Sequence, residues 1–169
     1  QLAAPQLVVA DTMDLWINGE PDALRALLGR IDGLVLNDSE ACLLTGEHNI
    51  VTAGLECCRR VKRFVVVKKG EHGAVLVHQD DVAVLPAFPA EEHQVIDPTG
   101  AGDSFAGGMM GHIAGAGRTD FETIRTALGW GTVVASDPIE SHGLEALRTL
   151  DRPTIDARFD RFRHVTRVD

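Results

Sequence analysis

The chain has 169 residues, 44% of them apolar and 24% charged, and a net charge of -9. That balance suits one folded domain and argues against disorder, and the negative charge argues against a nucleic-acid partner, because phosphate backbones select basic faces. No apolar run reaches the length of a membrane span, no Cys/His cluster has zinc-ligand spacing, and an odd number of cysteines with an adjacent pair (Cys42, Cys57 and Cys58) points to reduced thiols in a cytoplasmic protein.

The opening QLAAPQLVVADT reads as the interior of a longer chain. Within it, LVVADT is a short apolar run that predicts a buried strand. PDALRALLGRI has apolar residues at helical spacing behind Pro21, a favoured first helical residue. GLVLN predicts a second strand, and DSEACLLTG a short helix closed by Gly46. Residues 51–62 predict a helix whose basic end, RRVKR, suits the negative pole of the helix dipole. FVVVKK is a third strand, GEHGAVLV turns into a fourth, and DDVAVLPAF is a fifth, the last two with the look of an antiparallel hairpin. QVID predicts a short strand before a glycine-rich turn, and helices follow near 101–116, 120–136 and 154–165.

Strands alternating with helices predict an α/β fold, a single domain over residues 1–169 with a mostly parallel sheet covered by helices on both faces. In such folds ligands bind beyond the carboxyl ends of the strands. The polar residues at those ends are Asp11, Thr12, Asn37, Lys68, Lys69 and Asp97.

The most informative stretch is DPTGAGDSFAGG, residues 97–108. Pro98 biases Asp97 to an extended conformation, so the strand ends there. Gly100 and Gly102 permit positive φ or a close approach of backbone to a ligand, and a helix begins at once. Its first amides lack internal partners and its dipole is positive at that end, so the turn offers an anion cradle with Asp103 at the rim. Asp103 could equally be a simple cap. A dinucleotide-binding fingerprint fails at Phe105, and a P-loop fails because no Lys-Ser/Thr follows Gly107. Gly107, Gly111 and Gly115 recur at every fourth position, with Gly108 beside them. Such a face predicts that the helix lies very close to another backbone.

DPTGAGDSFAGG resembles the C-terminal signature of the PfkB, or ribokinase-like, carbohydrate kinases. NDSE (residues 37–40), VVVKKGEHGAVL and VVASDPIESHG match further motifs of that family in the same order, and the resemblance covers about residues 7–150. It implies a ribokinase-like fold from which the N-terminal, sugar-binding half is absent. It also implies ATP and Mg2+ as cofactors and a sugar or nucleoside as the phosphoryl acceptor, with no membrane partner. A fold cut in this way leaves a sheet edge uncovered, a reason to expect homo-oligomers.

The resemblance further implies roles. Asp103 would be the catalytic base, and the amides of Gly100, Ala101 and Gly102 the anion hole. Asn37 and Glu40 have the spacing of a capping box; the resemblance has them order magnesium-bound water and ATP phosphates. Lys68 would meet phosphate or be a solvated strand end. Gly70 and Gly73 would shape the turn under the nucleotide or merely serve a hairpin. Thr132 stands where several relatives carry an asparagine near the adenine. Asp97 and Thr99, with the loop that includes Gly143, match positions that in many relatives hold a monovalent cation such as K+; alternatively Asp97 only hydrogen-bonds turn amides. Asp11 and Asp14 carry no assigned role and default to the surface. Arg158, Arg161, Arg163 and Arg167, interleaved with Asp156 and Asp160, predict a solvated face. Two functional readings stand. One is an ATP-dependent carbohydrate kinase or its C-terminal part, and the other is a nucleotide-binding module or inactive remnant.

Overall fold

The structure is a computed structural model that describes residues 5–89, 99–137 and 148–167. The chain divides into two compact units, Gln1–Val84 and Leu85–Asp169.

The first unit is built on strands β1 (Val9–Asp11), β2 (Gly33–Asn37), β3 (Phe64–Lys68), β4 (Ala74–His78) and β5 (Asp81–Leu85), which lie in that order in one sheet. β1 and β2, and β2 and β3, pair in parallel. β3 and β4 pair antiparallel through the tight connection that GEHG predicts. The fold is α/β with a mostly parallel sheet, as the alternating pattern implies.

β2, β3 and β4 read as near-continuous apolar runs because both of their faces are buried. On one face Leu34, Leu36, Val65, Val67, Val75 and Val77 share a core with helices α2 (Pro21–Leu28), α3 (Asp38–Thr45) and α4 (Ile50–Cys58). Val35, Phe64, Val66 and Leu76 face the other way and are also buried. Gly33 and Phe64 are register partners on β2 and β3. A Cβ on Gly33 would lie 2.7 Å from both Phe64 Cε atoms, so the ring covers a position that tolerates no side chain.

The helix signals hold locally. Pro21 opens α2, and Gly46 closes α3 at φ 78° with its amide donating to the Cys42 carbonyl at 2.7 Å. Asn49 caps α4 by accepting from the Val51 and Thr52 amides. Two details differ from expectation. A further short helix, α1 (Asp14–Gly19), follows β1. α4 ends at Cys58, so RRVKR lies beyond it and does not form its last turn. The reason is where the backbone must go: the Lys62 amide donates to Ile31 and the Arg63 amide to Asp32, which steers the chain into β3.

The described part of the second unit contains helices α5 (Ala101–Ala116), α6 (Phe121–Ala135) and α7 (Arg152–Thr166). The expected close approach between backbones is present, but at other glycines than the four-residue repeat suggests. Among the described residues nothing lies within 4 Å of a notional Cβ on Gly107, Gly111 or Gly115. Gly108 meets α6, where its Cβ would lie 2.9 Å from Val134 Cβ and 3.0 Å from the Trp130 carbonyl oxygen. Gly131 of α6 answers it, with a Cβ position 2.8 Å from the Phe105 carbonyl oxygen. Trp130 stacks between His112 of α5, at 5.8 Å, and Phe159 of α7, at 4.0 Å, with the Arg152 guanidinium 5.0 Å from its ring. The solvated face expected of α7 fails at Arg158. Its guanidinium donates to the Ser136 carbonyl and hydroxyl and lies 4.6 Å from the Phe88 ring. Among the described residues no helix is long and apolar enough to cross a membrane.

Candidate nucleotide site

In the first unit the strand ends bring Asp11, Asn37, Glu40 and Lys68 together. Asn37 and Lys68 are register partners at the carboxyl ends of β2 and β3, and Asp11 ends β1 on the other side of β2. Asn37 is the N-cap of α3. Its Oδ1 accepts from the Glu40 amide at 2.8 Å, and Glu40 Oε2 accepts from the Asn37 amide at 2.9 Å. This reciprocal pair is the capping box that the spacing predicts. It holds both side chains and leaves Glu40 Oε1 without a protein partner among the described residues.

Sequence reasoning missed the partner of Lys68. The ammonium donates to Asp11 Oδ2 at 3.1 Å, across 57 residues, while Asp11 Oδ1 accepts from the Thr12 amide at 2.8 Å. Asp11 is therefore not a bare surface carboxylate. Beside it, Thr12 Oγ1 is buried without a hydrogen-bond partner among the described residues. Burial pushes the Glu40 carboxyl above the ordinary range; the Asn37 amide opposes this, the Asp11 carboxylate adds to it and the Lys68 ammonium opposes it. The Asp14 carboxylate also adds to the upward push, so Glu40 feels two further carboxylates and one cation. Among the described residues no three His, Cys, Asp or Glu side chains could hold a metal directly. Magnesium characteristically keeps several waters, and the capping-box groups fit contact through them.

Lys69 to Gly73 form the connection between β3 and β4, with Gly70 at φ 55° and Gly73 at φ 88°. Both angles favour glycine, and the Lys69 amide donates to the Gly73 carbonyl at 2.7 Å. The hairpin role is real, and it is compatible with a nucleotide lying against the turn.

In the second unit Gly100 is the N-cap of α5 at φ 82°, and a glycine there offers no capping side chain of its own. Asp103 is exposed in the first turn and accepts no hydrogen bond among the described residues, so it is not acting as a cap. Thr99 begins the turn. Thr132 is buried within α6, only 8% exposed. Asp97 and Gly143, and with them most of the expected monovalent-cation site, lie outside the described residues, as does the QVID strand. The cysteines play no part in these clusters. All three are free, and burial pushes the Cys57 thiol up to about 11.

The mostly parallel sheet with its helices is an α/β fold of the ribokinase-like kind. Solved structures agree. Aminoimidazole riboside kinase from Salmonella enterica aligns with a TM-score of 0.76 at 21% identity, over 90% of this chain and 52% of that one. The nucleoside kinase of Burkholderia thailandensis, in complex with inosine, aligns with a TM-score of 0.71 at 29% identity, over 90% of this chain and 47% of that one. The chain belongs to the pfkB family of carbohydrate kinases, whose model matches residues 6–149. A cytidine kinase of Thermococcus kodakarensis is 34% identical over 107 residues, which is 63% of this chain and 38% of that protein. The chain spans about half the length, or less, of the relatives it matches.

Proposed function

We propose that this chain carries the nucleotide side of an ATP-dependent kinase that moves the γ-phosphoryl group of ATP to an alcohol group of a sugar or nucleoside. The observation that carries this reading is the start of α5, where Gly100 turns the chain at φ 82° and Asp103 stands exposed in the first turn. A glycine turn at a helix N-terminus suits phosphate oxygens, and a carboxylate beside it can receive a proton.

In this reading Asp103 is the base. It orients the acceptor hydroxyl and takes its proton as that oxygen bonds to the γ-phosphorus and the bond to the β-phosphate oxygen breaks, its electron pair leaving with ADP. The amides of Gly100, Ala101 and Gly102 stabilise charge on the phosphoryl oxygens. Lys68 binds phosphate, and Asn37 and Glu40 hold water around the metal. Mg2+ supplies charge neutralisation of the phosphate chain. Gly70 and Gly73 let the backbone pass beneath the nucleotide, and Thr132 belongs to the base-binding region. A monovalent cation held by Asp97, Thr99 and Gly143 belongs to the same proposal and rests on the sequence. Relatives named for cytidine, aminoimidazole riboside and nucleoside substrates, one of them complexed with an ATP analog, support the donor and the acceptor class. Three free thiols support a reducing, cytoplasmic setting.

In a second reading these residues bind nucleotide without transferring phosphate. Calorimetry with Mg-ATP beside a turnover assay over a panel of sugars and nucleosides separates the two. Binding with turnover that Asp103→Asn abolishes, while ATP affinity is kept, supports the kinase reading. Binding without any turnover supports the second. Near-normal turnover in Asp103→Asn removes Asp103 as the base, and absence of binding removes both readings.

A further inference from the structure

We infer that Asp11 is a positioning residue for nucleotide binding, one that holds the Lys68 ammonium over the end of β2, where Asn37 and Glu40 present their capping box. The inference rests on the nucleotide reading given above and adds to it a residue and a task.

The argument starts from sheet geometry. Neighbouring strands lie about 4.8 Å apart, so β1 and β3, separated by β2, are roughly 10 Å apart. Lys68 ends β3 and Asp11 ends β1, yet their charged atoms meet at 3.1 Å. Neither side chain spans that gap alone, so the charged ends meet above the strand between them, the strand that ends in Asn37. A free lysine side chain samples many rotamers and loses that freedom on meeting a ligand. Here the loss has already occurred, since the Lys68 side chain is only 20% exposed and is tethered at its tip. The tether is itself fixed: one Asp11 oxygen takes the Thr12 amide and the other takes Lys68. Lys68 also acts on the capping box, because its charge opposes the upward push on the Glu40 carboxyl.

Charge alone predicts the opposite of positioning, which makes the inference decidable. If Asp11 were only a negative charge near a phosphate site, removing it would relieve repulsion and tighten nucleotide binding. If it positions Lys68, removing it frees the ammonium and weakens binding, and only while Lys68 is present.

The experiment is calorimetric titration of the 169-residue chain with Mg-ATP, comparing the wild type with Asp11→Asn, Asp11→Glu, Lys68→Met and the double variant Asp11→Asn/Lys68→Met. Asp11→Asn is expected to raise Kd about five- to tenfold, a coupling of the size that neighbouring charged groups show. Asp11→Glu should recover most of the loss, and the double variant should bind no worse than Lys68→Met alone. Circular dichroism and melting of each variant establish that the fold persists. Binding by Asp11→Asn as tight as, or tighter than, the wild type overturns the inference and leaves the nucleotide reading intact. So does a double variant in which the two losses simply multiply. A wild-type chain that does not bind Mg-ATP removes the nucleotide reading and this inference with it.

Discussion

Neighbouring glycines on α5 should respond differently to the same substitution. Gly107 is exposed and a Cβ on it would meet nothing within 4 Å among the described residues, so Gly107→Ala removes the conformational cost of an interior glycine. That gain is about 1 kcal/mol. Gly108→Ala has the same backbone gain, but its Cβ would sit 2.9 Å from Val134 Cβ and Cγ2 and 3.0 Å from the Trp130 carbonyl. Carbon atoms prefer roughly 3.5–4.0 Å, so α5 and α6 must part by more than half an ångström. The contact of Gly131 with the Phe105 carbonyl opens with them. Overpacking of this kind costs about 1–3 kcal/mol, leaving Gly108→Ala neutral to about 2 kcal/mol destabilised and well below Gly107→Ala. The assay is urea unfolding followed by Trp130 fluorescence in a Trp16→Phe background, because Trp130 sits at the contact. In melting, the Gly107→Ala gain corresponds to a rise of about 2–4 °C. Equal stabilisation by both alanines would refute the assignment of the close contact to Gly108.

The capping box of α3 should be worth about 1 kcal/mol, so Asn37→Ala should lower the urea midpoint of the first unit, while Asn37→Asp retains most of the stability; an unchanged midpoint in the alanine variant would deny the cap a structural share. His112 gives a pH dependence: desolvation, and then the Arg152 charge, hold its imidazole below the ordinary value. A histidine depressed in the folded state favours its neutral form there, so its contribution is complete above the unfolded value of about 6.5 and is lost as pH falls through the lower folded value. Melting temperature measured from pH 8 to pH 5 should therefore fall more steeply for the wild type than for His112→Gln, and parallel profiles would count against it.

What the sequence made legible was what local chemistry decides. Asn37 and Glu40 announce a cap by type and spacing, and Gly46, Gly70 and Gly73 announce backbone angles that other residues avoid. DPTGAGDSFAGG gives away both its turn and the start of its helix at Ala101. What the sequence hid depends on register and packing direction. The ion pair of Asp11 with Lys68 exists only because β1 and β3 flank β2 in register, and nothing within 57 residues of sequence signals it. A four-residue glycine repeat marks one stripe of a helix but not which side packs on α6, and among the described residues that contact falls to Gly108, beside the stripe. Arg158 reads as a surface charge by its interleaving with Asp156 and Asp160, yet it turns inward to Ser136 and Phe88. The stack of His112, Trp130 and Phe159 draws one ring from each of three helices, so no single helix pattern contains it.

The ring of Phe64 over Gly33 acts as a key in a slot. Sliding β2 by one residue would bring Leu34 beneath that ring and turn Leu34 and Leu36 away from the core they share with α2, α3 and α4. Only one alignment lets the two strands zip together. That alignment, chosen where the strands begin, sets Asn37 beside Lys68 where they finish. A glycine at the far end of the sheet thereby gauges the spacing of the groups proposed to meet phosphate.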